Sequence, residues 1–212
     1  RFISTPVAVM GFGHRTNVWH NALQSGARRK FLMCHQIFID LRRIRRRRRR
    51  NTDACCGGAC HLRSYTVASE ILGIPVKTDP LATDGKPELV KAFQDATAVF
   101  DSSGTCVFTT FAWTLADLAP QLQAACDDGY TLENLNVVGE RIWNMERDFN
   151  NRAGFTRKDD DLPPRLKSEP AKVGPAKGLV NGIDKMLPEY YKVRGWDSEG
   201  RLTAETRSRL GL

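Results

Sequence analysis

Apolar residues recur at intervals of three and four only downstream of about residue 57, and the elements they predict are helices. Residues 64–72 read as a short helix that stops at Gly73, with Pro75 just beyond. Pro87, at a first-turn position, opens a second helix to about residue 100, with Leu89, Val90, Phe93, Thr97 and Phe100 on or near one face. A polar turn at residues 101–106 then interrupts the period. Residues 107–118 resume an apolar helical pattern that Pro120 is expected to close. The clearest helix starts at a Thr131 cap and runs to about residue 152, ending at Gly154. Leu132, Leu135, Val138, Ile142, Met145 and Phe149 form one apolar stripe along it, and Glu140, Arg141, Glu146 and Arg147 read as solvated ion pairs on the opposite face.

A loop rich in charge, proline and glycine follows over residues 157–178. Residues 183–191 predict another helix with Met186, Leu187 and Tyr190 inward. Gly195 and Trp196 turn the chain, and Thr203 caps a last helix into Leu210, Gly211 and Leu212. Trp143, Tyr190, Tyr191 and Trp196 read as packing aromatics. Alternation of period two is nearly absent and no segment repeats, so the expected fold is all-α, a helical body of one or two lobes spanning 58–212. Residues 1–57 show neither periodicity and are left unassigned as a basic, disordered or non-native segment.

Charge sharpens that division. The net +8 of the 212 residues is local: residues 1–55 hold 13 Lys and Arg against Asp40 and Asp53, whereas the remaining 157 hold 19 basic and 22 acidic side chains. A run of six arginines, Arg45 to Arg50, repels itself and stays solvated or docks on a polyanion. It lacks interleaved aromatics, so nucleic acid is the weaker partner reading. No apolar stretch approaches the roughly 20 residues of a membrane helix. The six cysteines, at 34, 55, 56, 60, 106 and 126, are too sparse for a secreted disulfide framework. A soluble cytoplasmic protein with free or ligating thiols is expected.

Two places carry candidate chemistry. Asp101-Ser102-Ser103-Gly104-Thr105-Cys106 offers a carboxylate, a glycine for close approach and a thiol that can bind iron or zinc. The bland alternative is an Asp cap on the next helix beside a buried, inert cysteine. Cys60-His61, behind Gly57-Gly58-Ala59, offers a proton-handling imidazole at a glycine-lined mouth, or simply a loop histidine. Cys55, Cys56 and Cys60 fit no standard zinc spacing.

From Gly58 to Leu212 the text resembles the carboxy-terminal region of the aldehyde ferredoxin oxidoreductase family. The resemblance is carried by Gly58-Ala-Cys-His-Leu-Arg63, Glu70-Ile-Leu-Gly-Ile-Pro75, Asp101-Ser-Ser-Gly-Thr-Cys106 and Gly139-Glu-Arg-Ile-Trp-Asn144. It continues through Asp160-Asp-Leu-Pro163, Pro175-Ala-Lys-Gly178, Glu189-Tyr-Tyr191 and Arg194-Gly-Trp-Asp197. It implies a bis-pterin tungsten enzyme (molybdenum in some members) with a 4Fe-4S cluster, oxidising aldehydes to carboxylic acids and passing electrons to ferredoxin. In the family a D-x-x-G-L-C turn binds pterin through its Asp and supplies one cluster cysteine. Asp101 and Cys106 match it, and Thr105 stands where leucine is usual. His61 falls on the family's proton-handling histidine, and Arg63 where a basic contact to pterin phosphate is expected.

The departures are as specific. The upstream C-x-x-C-x-x-x-C of the family, its amino-terminal β domain, the first pterin-binding turn and the catalytic Glu have no counterpart here, and Gly57 stands where arginine is common. The chain is therefore expected to be a fragment, inactive alone, of a parent that assembles from like subunits. The abrupt change of text at residue 57 suggests the hypothesis of a truncated, frame-shifted gene product, which an intact upstream frame encoding 1–57 would rule out. Two alternatives remain open at this point: polyanion binding through the arginines, and a superfamily member acting on aromatic acyl thioesters.

Overall fold

A computed structural model describes residues 61–212. The arginine run, Cys34, Cys55, Cys56, Cys60 and the boundary proposed at residue 57 lie outside the described residues. Six α-helices follow two short helical turns, His61–Ser64 and Ala68–Leu72: α1 Lys86–Ser103, α2 Leu115–Ala125, α3 Leu132–Arg152, α4 Pro164–Ser168, α5 Ile183–Arg194 and α6 Ala204–Leu210. Among the described residues, extended pairing is confined to two isolated bridges, Ala171 with Lys177 and Trp196 with Leu202. The all-α expectation holds. None of these helices is long and apolar enough to cross a membrane.

Central to the assembly is α1, which packs along α3, against α5, and against the His61–Ser64 turn. Its apolar residues serve two separate cores. Val90 joins Leu162, Ile183, Met186, Leu187, Tyr190, Tyr191, Trp196 and Leu202 at one end. Val99 and Phe100 join Leu115, Leu118, Ala119 and Leu135 at the other. Between the two cores the helix buries Gln94, Asp95 and Thr97, so the middle of the molecule is polar.

A cationic side chain fills that middle. The Arg194 guanidinium, 0% exposed, donates to Asp95 Oδ1 and to Gln94 Oε1 at 2.6 Å each, and its Nε donates to Tyr190 Oη at 3.1 Å. Tyr190 in turn donates to Gln94 Oε1 at 2.6 Å, and the Trp143 indole N–H donates to the Gln94 carbonyl at 2.6 Å. A second buried arginine repeats the device. Arg147 grips both oxygens of Asp160 at 2.8 and 2.6 Å, donates to the Gly200 carbonyl at 2.6 Å, and lies 4.8 Å from the Trp196 ring centroid. Tyr191 also donates to Asp160, and burial together with that carboxylate pushes the Tyr191 phenol well above its usual value. Bidentate arginine–carboxylate pairing of this kind satisfies a buried charge that would otherwise be costly.

This polar core corrects the reading of α3. Its Thr131 cap stands, the hydroxyl accepting from Asn134 N–H at 3.2 Å. The inward face, however, is Leu135, Gly139, Trp143, Asn144, Arg147 and Asn150, while Leu132, Met145 and Phe149 of the expected stripe are exposed. Arg147 is buried rather than solvated. Glu140 is largely buried too, holding Arg209 at 2.9 Å and Lys91 at 3.4 Å. The Arg209 hydrogen bond keeps the Glu140 carboxyl below its usual range.

Pro120 does not close a helix but lies inside α2. The bond it forfeits would have gone to the Ala116 carbonyl in the exposed first turn, where water can replace it. Residues 107–118 split accordingly into a 3-10 turn, Val107–Phe111, and the start of α2. Within the supposed loop of 157–178, the Arg157–Asp159 turn and α4 are helical.

Gly139 is where α1 and α3 touch. A Cβ there would stand 2.2 Å from the Asp95 carbonyl oxygen and 3.0 Å from its Cα, a backbone contact that no rotamer relieves. Gly139→Ala is expected to destabilise the chain by about 3 kcal/mol through forced separation of these helices. Denaturant unfolding checks it; a loss under about 0.5 kcal/mol, the range of a neutral surface change, would contradict the close approach.

Candidate functional site

Helix α1 runs through Asp101 and Ser102 to Ser103, further than the period suggested, and only then breaks. Gly104 makes the break: at φ 80° and ψ 1° it takes the left-handed conformation that ends helices, its N–H reaching back to the Asp101 carbonyl at 3.3 Å. Asp101 is thus a half-buried residue of the last helical turn and not a cap on the next element. Cys106 occupies the cap position of the Val107–Phe111 turn, its carbonyl accepting from Thr109 N–H at 3.0 Å and Thr109 Oγ1 at 2.7 Å.

The geometry of this corner bears on ligand approach. The Cys106 thiol is exposed and in no disulfide, so the reading of a buried, inert cysteine fails. Above Gly104 a Cβ would meet nothing within 4 Å, leaving its face open. Ser103 Oγ lies 2.7 Å from the Phe100 carbonyl and 2.8 Å from Thr105 Oγ1, and accepts from Thr105 N–H at 3.3 Å. The Thr105 N–H is therefore turned into the corner, where its hydroxyl oxygen accepts from Ser103. An acid on the last helical turn, an open glycine and an accessible soft sulfur make a donor set that fits a heterocycle beside an iron centre.

Sequence gave no indication of how His61 would stand to this corner, 45 residues on. The structure places His61 at the head of the His61–Ser64 turn, which packs on α1. Just beyond, the Tyr65 ring meets Phe108 edge-on at 5.9 Å and Phe111 at 5.3 Å, and Phe108 stacks on Phe111 at 5.9 Å. These rings join the segment bearing His61 to the turn that Cys106 caps. A second tie lies farther back: Glu70, in the Ala68–Leu72 turn, receives Lys86 Nζ at 2.9 Å, both side chains being buried. Burial raises the Glu70 carboxyl above its usual range, and Lys86 opposes that shift. Lys86 is the first residue of α1, so the segment from 61 to 72 is fastened at both ends of the helix.

Arg63 lies on the same turn as His61 but reaches elsewhere. Its NH2 group donates to Glu146 Oε2 at 2.6 Å, and its guanidinium carbon sits 4.8 Å from the Trp143 ring centroid. Its Nε is buried without a hydrogen-bond partner among the described residues. Reasoning from sequence missed Glu146 and Trp143 as neighbours of the site, since nothing in either residue's local text marks it. No cluster of three or more His, Cys, Asp or Glu side chains suited to a metal occurs among the described residues. Cys106 would ligate as a single thiolate from this part of the chain.

Known proteins resemble this chain in sequence. The family model described as aldehyde ferredoxin oxidoreductase, domains 2 & 3, matches residues 54–212. The tungsten-containing aldehyde ferredoxin oxidoreductase of Pyrococcus abyssi is 46% identical over 157 residues, covering 73% of this chain and 26% of that protein. The proteins of the same name from Pyrococcus furiosus and Thermococcus kodakarensis are 44% and 43% identical over the same shares. The chain thus spans about a quarter of the length of the curated relatives it matches. Among solved structures, the active site complex BamBC of benzoyl coenzyme A reductase, in complex with 1,5 dienoyl-CoA, superposes with a TM-score of 0.51 at 23% identity. That match covers 64% of this chain and 20% of that one, and it shows a shared fold alone.

An exposed Cys106 has a direct chemical consequence. Alkylation by iodoacetamide under native conditions, followed by peptide mass spectrometry, is expected to modify Cys106 within about tenfold of its rate in the denatured chain. Protection by more than about a hundredfold would mean a buried thiol and would contradict the site.

Proposed function

Because the chain belongs to the aldehyde ferredoxin oxidoreductase family, we propose that residues 58–212 carry one wall of a tungsten-pterin active site. The parent enzyme oxidises aldehydes to carboxylic acids and delivers two electrons through a 4Fe-4S cluster to ferredoxin. The observation that carries this reading is the exposed, unpaired thiol of Cys106, five residues from Asp101 on an open glycine corner. When bound, the tungsten-pterin group supplies the two-electron oxidation, with water as the source of the oxygen atom.

The chain's own residues have separable duties. Asp101 accepts hydrogen bonds from pterin amino groups, a match of carboxylate acceptor to amine donors. Thr105 gives its N–H to Ser103 and offers its carbonyl to the pterin, a backbone contact that threonine makes as leucine would. Cys106 holds one iron of the cluster, and its five-residue distance from Asp101 keeps cluster and pterin close enough for electron transfer. His61 takes the proton that water releases as its oxygen is transferred.

Residues 58–212 alone would supply only part of the site. One thiolate does not hold a four-iron cluster, and one wall does not retain a bis-pterin group; the remaining ligands belong to the part of the relatives that this chain does not match. Elemental analysis of the purified chain is expected to find tungsten and iron only in traces, and stoichiometric amounts of both would contradict the proposal. The role of Cys106 itself is checked in a chimera whose carboxy-terminal region, in the Pyrococcus furiosus relative, is replaced by residues 58–212. There Cys106→Ser is expected to lower the iron content and change the cluster's paramagnetic resonance spectrum, and an unchanged spectrum would refute the assignment.

A further inference from the structure

Arg63 stands two residues from His61, yet its guanidinium is committed to α3. Glu146 Oε2 accepts from NH2 at 2.6 Å, and the face of Trp143 lies 4.8 Å beneath the guanidinium carbon. The pair is shielded, with side-chain exposures of 31% for Arg63 and 17% for Glu146. Trp143 is itself immobile: it is 3% exposed, its indole N–H is bonded to the Gln94 carbonyl, and the buried Arg194 guanidinium lies 5.4 Å from the same ring. A planar cation seated on a fixed ring, with one edge held by a carboxylate one helical turn along, has a single favourable pose.

From this we infer that Arg63 is a positioning residue for the His61 turn, acting through Glu146 and Trp143 and not through a cofactor phosphate. The inference rests on the proposed role of His61. The turn His61–Ser64 has four residues and no helix hydrogen-bond ladder long enough to fix itself. Fastening Arg63 to the rigid α3 sets where the backbone of His61 lies relative to the end of α1. The same anchor explains why an arginine is useful there: lysine would keep the charge pairing with Glu146 but lose the flat contact with the indole.

The test uses the whole chain without cofactor, so that its outcome is independent of metal or pterin binding. Amide hydrogen exchange over residues 62–66 and the ring resonances of His61, assigned with His61→Gln, are followed in Arg63→Met, Glu146→Gln and Arg63→Lys. Arg63→Met and Glu146→Gln are expected to speed exchange in that segment by about tenfold while α5 keeps its protection. Arg63→Met is also expected to shift and broaden the His61 ring signals, with the other three histidines unmoved. Arg63→Lys should fall between Met and the natural residue on both readouts. Unchanged His61 signals in Arg63→Met, or a loss of protection spread evenly over α1, α3 and α5, would overturn the inference. Failure of the tungsten-pterin reading would appear in the metal content of the chimera and would leave these signals as they are.

Discussion

A guanidinium with no access to water constrains this structure more than any apolar contact does. Arg194 is held between Asp95, Gln94 and Tyr190, all of which belong to the facing helices α1 and α5. An arginine so enclosed has no cheap alternative: withdrawing one partner leaves a charge stranded in a medium that cannot solvate it. The directions of its N–H groups therefore fix α1 along its own axis and about it. The Gly139 contact holds α3 at the same level, because the Asp95 carbonyl fills the space where a side chain would stand. The turn at Gly104 is presented where it is because the middle of α1 is fixed in this way.

Two apolar cores flanking a charged seam also account for what the sequence revealed and what it concealed. The ends of α3 and α6 were legible because Thr131 and Thr203 cap them with their own hydroxyls, a local interaction that needs no knowledge of the fold. The inward face of α3 was not legible. A stripe of apolar residues marks the core only when the core is apolar, and here Trp143, Asn144 and Arg147 turn inward to meet Gln94, Trp196 and Asp160. Pro120 was expected to stop a helix, yet its missing N–H falls where the unpaired carbonyl is exposed. The extent of α1 was underestimated because Asp101, Ser102 and Ser103 favour turns in isolation, whereas packing of Val99 and Phe100 carries the helix through them.

The candidate site divides along the same line. Its candidate residues were nameable: Asp101, Cys106 and His61 stand out as residue types in a motif. Its geometry was not, since the approach of the His61 turn to the Cys106 corner depends on rings at 65, 108 and 111 and on a buried pair between Glu70 and Lys86. None of these has a local signature. Arg63 shows the difference most clearly. Its place beside His61 suggested a phosphate contact, and only the folded chain shows Glu146 and Trp143 against its guanidinium. The proposed function thus rests on a loop motif held in place by long-range charge pairing.

The account stands on cooperation between Asp95 and Arg194, and a double-mutant cycle measures that directly. Asp95→Ala, Arg194→Ala and the double variant would be compared by denaturant unfolding. Each single change is expected to cost about 3 to 5 kcal/mol. The double variant should cost less than their sum by at least about 2 kcal/mol, since the second change removes a charge already stranded by the first. Losses that simply add, to within about 0.5 kcal/mol, would mean that the two side chains stabilise the chain independently and that the seam does not hold α1.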